Sequence, residues 1–148
     1  MKTLSLLTTL VLVTTLAGCA ATGTKFAAQE AATPKIAADK GRVYFYRANS
    51  MVGAAIQPEV QLDGKVVGKS QPGGYFYVDA DAGNHEAQTS TEATNKLSFV
   101  VDKGEVKYVR TKISMGLMAG RVVPELVGAD EARKELVDLS YTGAPAAN

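Results

Sequence analysis

Short segments of alternating apolar and polar residues, each ended by a turn signal, fill the sequence from residue 41 to residue 128. The clearest pair is EVQLDGKVVG, in which Asp63-Gly64 is a favoured two-residue type I′ loop because both positions require a positive φ. Pairing across this loop places Val60 opposite Val67. Many short strands with regular turns are typical of antiparallel sandwiches and barrels. We therefore predict a mainly all-β domain over residues 41–139, an antiparallel β-sandwich of about seven to eight short strands.

The end of this domain has a different period. The segment ADEARKELVDL places Ala132, Leu136 and Leu139 at helical spacing, which predicts one short C-terminal amphipathic helix. We expect Asp130 either to cap this helix or to place negative charge in its first turn. In the preceding segment Pro124 confines the strand to a sheet edge or a bulge, because proline has no N–H to donate. Residues 140–148 are small and polar and predict a disordered tail.

The first 18 residues have the organisation of an export signal. Lys2 precedes an apolar core, LSLLTTLVLVTT, that is too short to span a bilayer, and Leu16-Ala17-Gly18-Cys19 follows. An ordinary secretory signal with a coincidental cysteine is one interpretation. The pattern also resembles the lipobox of bacterial lipoproteins, in which a branched residue and two small ones precede a cysteine. That resemblance implies diacylglycerol transfer to the Cys19 sulfur, cleavage between Gly18 and Cys19, and acylation of the new α-amino group.

An anchor of this kind makes the membrane the first expected partner. Several acyl chains on one residue bind a bilayer stably, whereas a single chain binds only marginally. Ala20 follows the cysteine, and by the same resemblance it implies the outer membrane, because Asp in that place commonly retains Gram-negative lipoproteins in the inner membrane. Residues 19–40 are rich in Ala and Thr without a sustained period. We predict that they form a lipidated N-terminus and a flexible tether spanning on the order of 25 Å.

The middle of the chain carries a further resemblance. The stretch VQLDGKVVGKSQPGGYFYVDADAGNHEAQ combines a Leu-Asp-Gly-Lys hairpin, an aromatic strand and a Gly-x-His turn, and it resembles the β-modules called PEGA domains. With the lipobox before it and DKGEVKYVR after it, the chain resembles small bacterial lipoproteins of the domain-of-unknown-function family 2846, over residues 41–139. The resemblance implies a β-sandwich-like domain in the cell envelope. It brings no catalytic residues to carry over.

Groups that could perform chemistry are sparse. His85 is the only histidine and Cys19 the only cysteine, so a transition-metal site lacks ligands, and we expect His85 to hydrogen-bond its own loop or pack at a strand end. Asp79 and Asp81 begin a stretch similar to a calcium loop, but Ser90 stands where the bidentate glutamate belongs. The net charge of +1 argues against nucleic acid as a partner. We expect no cofactor, no metal and no catalytic residues.

The tyrosines supply the candidate binding site. Tyr44 and Tyr46 share one strand face, and Tyr75 and Tyr77 share another, so neighbouring solvent-side faces would form an aromatic platform for glycan, peptidoglycan or protein. The plainer interpretation, which we favour, is that tyrosines fit half-buried pleated surfaces. The loop GLMAG, residues 116–120, is expected to pack on the core; if exposed, it could touch lipid or a partner.

Three functions remain open from the sequence. The first is a non-enzymatic lipoprotein of the bacterial envelope, lipid-anchored in the outer membrane and facing the periplasm, whose sandwich is a structural or interaction module. The second is a module that binds cell-wall glycan or peptidoglycan through the tyrosine faces. The third is an envelope enzyme or enzyme inhibitor, which would need a polar constellation that only the tertiary structure could assemble.

Overall fold

The computed structural model describes residues 20–118 and 120–143. The predicted signal segment, the predicted cleavage site at Gly18 and Cys19, and residues 144–148 lie outside the described residues. Two helices and nine strands occur in the described part, in this chain order: α1 (Phe26–Ala32), β1 (Lys40–Tyr46), β2 (Glu59–Leu62), β3 (Lys65–Lys69), β4 (Gly74–Asp81), β5 (Gly83–Ser90), β6 (Thr94–Val101), β7 (Val106–Ser114), β8 (Arg121–Val127), α2 (Ala129–Leu136) and β9 (Ser140–Tyr141).

The strands form two sheets, which confirms the predicted sandwich. A five-stranded sheet has the order β8-β7-β1-β4-β9, and a four-stranded sheet has the order β3-β2-β5-β6. Most pairs are antiparallel, but β1 pairs with β7, and β4 with β9, in parallel. The strand that contains Pro124 lies at an edge of the larger sheet, as predicted.

The first core lies between the two sheets. Inward-facing residues of the larger sheet pack on those of the smaller one, and the rings of Phe45 and Phe76 stack with their centroids 5.3 Å apart. Alternation along each strand places these side chains on one face. The buried members are Val43, Phe45, Val60, Leu62, Phe76, Ala80, Ala87, Phe99, Val101 and Val109.

The Asp63-Gly64 turn forms as predicted, with φ values of 52° and 78°. Leu62 lies opposite Lys65, as a two-residue loop requires, but the predicted partner of Val60 was wrong by one residue, because a bulge between Val60 and Gln61 brings Val60 opposite Gly68 rather than Val67. Packing explains the glycine at this position. A Cβ on Gly68 would lie 2.5 Å from the Phe76 ring, closer than carbon atoms approach without displacement.

A second core covers the outer face of the larger sheet. The C-terminal helix α2 turns Ala132 and Leu136 toward this face, Leu139 follows them, and all three are buried, as predicted. Gly128 occupies the N-cap position, so Asp130 places negative charge in the first turn, which is one of the two roles expected of it.

The predicted flexible tether was wrong for residues 20–33, here called the N-terminal strap. The Phe26 amide donates to the Leu139 carbonyl at 3.1 Å, and the Tyr141 amide donates to the Thr24 carbonyl at 2.7 Å. Helix α1 is too short to be stable alone. It forms because Phe26 is buried in the second core.

The predicted disordered tail was likewise wrong at its beginning. Ser140 and Tyr141 form β9, which pairs with Gly74 and Tyr75 at the edge of the larger sheet. Lys25 of the strap forms an isolated bridge with Ser140 on the other side. The strap and the start of the tail therefore stabilise each other, a contact between segments more than 110 residues apart.

Candidate functional site

The predicted tyrosine platform is buried. Strands β1 and β4 do bring the two pairs together, with Tyr44 opposite Tyr77 and Tyr46 opposite Tyr75. The face that they share is covered by the strap and α2, however, and Tyr44, Tyr46 and Tyr75 are at most 6% exposed. Phe26 meets the rings of Tyr44 and Tyr75 edge-on, at centroid distances of 5.9 and 5.3 Å. Tyr44, Tyr46 and Tyr75 therefore form a core rather than a binding surface, and Tyr77 packs against it partly buried.

The tyrosine hydroxyls differ in their partners. Tyr46 donates to the Glu135 carboxylate at 2.5 Å, and burial together with this carboxylate raises the pKa of the Tyr46 phenol. The Tyr75 hydroxyl has no hydrogen-bond partner among the described residues, and burial raises the pKa of that phenol. Each hydroxyl therefore stays protonated in the physiological range, so neither is a candidate base.

The lone histidine has the structural role expected of it. Nδ1 of His85 lies 2.7 Å from the Asp63 carboxylate, and Nε2 lies 2.7 Å from the Asp81 carbonyl. Both partners are acceptors, so an imidazolium satisfies both. Burial alone would lower the pKa of His85, but these hydrogen bonds outweigh it and hold the pKa above its usual 6.5. The ring thus connects the Asp63-Gly64 turn to the β4–β5 turn.

The acidic residues of the calcium-like stretch are bound by basic side chains of β1. Asp79 accepts two hydrogen bonds from the buried Arg42, at 2.5 and 2.8 Å, and Asp81 accepts one from Lys40 at 2.6 Å. The Arg42 guanidinium also lies 4.4 Å from the centroid of the Tyr77 ring. Within the described part of the chain, no three His, Cys, Asp or Glu residues lie close enough together to hold a metal ion.

One end of the sandwich carries exposed apolar side chains. They come from the β1–β2 loop and the β7–β8 loop, and their exposed fractions run from 70% for Val52 to 94% for Met118. The sequence prediction that the GLMAG loop packs on the core was therefore wrong. We call the set the apolar end: Met51, Val52, Met115, Leu117 and Met118.

The side chains of two polar residues, the buried Arg47 and the exposed Glu92, fix the loops of the apolar end. Arg47, only 3% exposed, donates to the carbonyls of Ile56, Gly53 and Ser70 at 2.5, 2.8 and 3.1 Å, and its burial lowers the pKa of the guanidinium. Glu92, in the β5–β6 turn, accepts hydrogen bonds from the amides of Leu117 and Met118, each at 2.9 Å.

These polar groups bind backbone atoms of both loops, while the apolar side chains point outward. Two open grooves of about 310 and 320 Å³ adjoin them, with Ile113 and Met115 lining both. Nothing local in the sequence marks Glu92 for this role, because its partners lie in another loop, and Arg47 reaches carbonyls both in its own loop and at Ser70.

The family is decided by residues 37–123, which match the family described as protein of unknown function (DUF2846). The chain belongs to the DUF2846 family. An uncharacterized protein of Haemophilus influenzae is 29% identical over 99 residues, which cover 66% of this chain and 58% of that relative. The DUF2846 chain thus spans less than two thirds of the relative's length. No solved structure matches it.

The matched range covers most of the β-sandwich and leaves out both helices of this DUF2846 protein. It includes seven complete strands, the start of β8, and both loops of the apolar end. Helices α1 and α2, which cover the tyrosine face, lie outside it. None of the helices in residues 20–118 and 120–143 is long and apolar enough to cross a membrane.

Proposed function

We propose that this protein is a lipoprotein of the bacterial envelope, anchored through lipid on Cys19, whose β-sandwich is a non-catalytic structural or interaction module. The observation that carries the proposal is the order of its N-terminal features. A basic residue, a short apolar core and Leu16-Ala17-Gly18-Cys19 occur in the sequence and spacing of a lipoprotein signal, and Cys19 is the only cysteine. We therefore expect the Cys19 thiol to be lipidated.

The side chains of the domain support a non-catalytic role. The strongest polar groupings pair oppositely charged residues across neighbouring elements. Arg42 joins β1 to Asp79 on β4, and Arg110 joins β7 to Glu125 on β8 and to Glu135 on α2. Charged side chains that are paired in this way hold neighbouring elements together and leave no reactive atom free to act on a substrate.

Metabolic labelling with an alkyne analogue of palmitate tests the anchor. The native protein should carry the label and fractionate with membranes, and Cys19→Ser should lose both properties. A matched control combines Cys19→Ser with Thr22→Cys, which restores the number of thiols three residues away and should stay unlabelled. Label on Cys19→Ser would contradict the proposal.

The proposed outer-membrane location has its own test. Ala20→Asp should move the labelled protein from the outer-membrane to the inner-membrane fraction of a density gradient, while Ala20→Ser should leave it in place. If both variants remain with the native protein, the residue after the cysteine does not decide the location.

A further inference from the structure

We propose that the apolar end is seated in the phospholipid surface that carries the anchor, so that the domain lies directly on the membrane. The inference rests on the proposed lipid on Cys19. Its starting observation is that five large apolar side chains project from two neighbouring loops whose backbones are already bound by Arg47 and Glu92. Contiguous exposed apolar surface on an ordered loop pair marks a site of contact with protein or membrane.

The N-terminal strap reaches the same end of the sandwich. The Ala21 amide donates to the Pro72 carbonyl at 3.1 Å, and the Gly73 amide donates to the Arg47 carbonyl, where the β1–β2 loop begins. One residue, Ala20, separates Ala21 from Cys19. An extended chain covers about 3.5 Å per residue, so Cys19 can stand only about 7 Å from Ala21. Lipid on Cys19 therefore brings this end of the domain to the bilayer.

The β7–β8 loop projects beyond the point where the strap is held. Tyr46 pairs with both Tyr75 and Arg110, which places these residues at one level of the sheet. Ala21 approaches Gly74, one residue beyond Tyr75 toward this end, and strand β7 continues three residues past that level, to Ser114, a distance of about 10 Å at about 3.3 Å per residue. Since β4 and β7 lie on either side of β1, the strap and the loop are roughly 10–15 Å apart across the sheet.

These lengths favour insertion of the β7–β8 loop into the interfacial region of the bilayer. Strand β7 alone extends about 10 Å past the level of the strap, whereas residues 19–21 reach only about 7 Å. With Cys19 at the lipid surface, the side chains of Leu117 and Met118 enter the interfacial region. Apolar faces of peripheral segments are typically buried about 5–10 Å there.

The charges around the apolar end indicate that apolar contacts, rather than attraction to anionic headgroups, bind it to the membrane. Arg121 pairs with Glu92 at 3.2 Å, Lys112 pairs with Glu125 at 2.5 Å, and Arg110 contacts Glu125 as well. Cations neutralised within the domain give little attraction to anionic headgroups. We therefore expect contact with the phospholipid surface itself, largely independent of salt and of the anionic lipid fraction.

The natural chain has no tryptophan, which allows a direct test by a single introduced probe. The full-length lipidated protein carrying Leu117→Trp is reconstituted into vesicles of phosphatidylethanolamine and phosphatidylglycerol, with or without bromine on the acyl chains. Met118→Trp provides a second probe of the same loop. The matched control is Val100→Trp, since Val100 is 49% exposed and lies about 20 Å along β6 from Thr94, next to the turn that holds Glu92.

Leu117→Trp and Met118→Trp should show blue-shifted emission and several-fold stronger bromine quenching than Val100→Trp, at low and at high salt. Equal quenching of loop and control probes would overturn the seating. A blue shift without bromine quenching would also overturn it, because it would show the loop buried in protein rather than in lipid. Mass spectrometry of the N-terminal residue separates the two proposals: an unacylated Cys19 refutes the anchor, whereas an acylated Cys19 with unquenched loop probes refutes only the seating.

Discussion

Removal of the Phe26 ring is the sharpest test of whether the N-terminal strap belongs to the fold. The ring is 5% exposed and meets Tyr44 and Tyr75 edge-on. Burial of a phenylalanine side chain contributes about 1.5–3 kcal/mol, and each aromatic pair adds about 0.5–1.5 kcal/mol. Phe→Ala substitutions in cores cost about 3–5 kcal/mol. The strap lies at the surface and can detach, which limits the loss, so we expect Phe26→Ala to lower the free energy of unfolding by about 3 kcal/mol.

Urea unfolding followed by far-ultraviolet circular dichroism measures this loss on the chain from Ala20 onward. The control is Lys35→Ala, an exposed position just beyond the strap, which should change the free energy of unfolding by less than about 0.5 kcal/mol. A tether would behave differently, because its side chains contact nothing. A Phe26→Ala variant as stable as Lys35→Ala would refute the docked strap and, with it, the short distance between the domain and Cys19.

The remaining predictions concern side chains whose partners the structure defines. Tyr75→Phe should leave the free energy of unfolding unchanged or raise it slightly, because it removes a buried hydroxyl without a partner among the described residues. Tyr46→Phe should lower it by about 1–2 kcal/mol, since the hydrogen bond to Glu135 is lost, and thermal unfolding of both variants distinguishes the two tyrosines. An NMR titration of His85, the only histidine, should give a pKa above 6.5 that falls toward 6.5 in Asp63→Asn. Stability from this pair should be complete just below about pH 6.5, be lost as the pH rises through the raised pKa of His85, and be lost again at acid pH as Asp63 is protonated; an unshifted titration would contradict the geometry.

Features with local causes could be predicted from the sequence. The Asp63-Gly64 turn follows from the φ values that the two residues accept, and α2 follows from the spacing of Ala132, Leu136 and Leu139. The edge position of the strand with Pro124 follows from its missing N–H. In each case the residues that decide the structure are neighbours in the chain.

The burial of the tyrosines could not be predicted in the same way. Alternation shows which tyrosines share a face, but whether that face meets water depends on Phe26 and α2, which lie far away in the sequence. One signal did exist in β1, where Val43, Tyr44, Phe45 and Tyr46 form a continuous run of large residues. An uninterrupted run of this kind is typical of strands covered on both faces.

The incorrect predictions for the tether and for the GLMAG loop have one physical origin. Composition suggested that an Ala- and Thr-rich segment moves freely and that an apolar loop is buried, yet Phe26 docks the first and Glu92 holds the second open. Together the two corrections change what lipid on Cys19 would do. On a flexible tether an acyl anchor sets only the distance of a domain from the membrane, with orientation left free. On a strap bound at Ala21 the same anchor would also restrict the orientation of the domain, because only residues 19 and 20 would separate it from the bilayer.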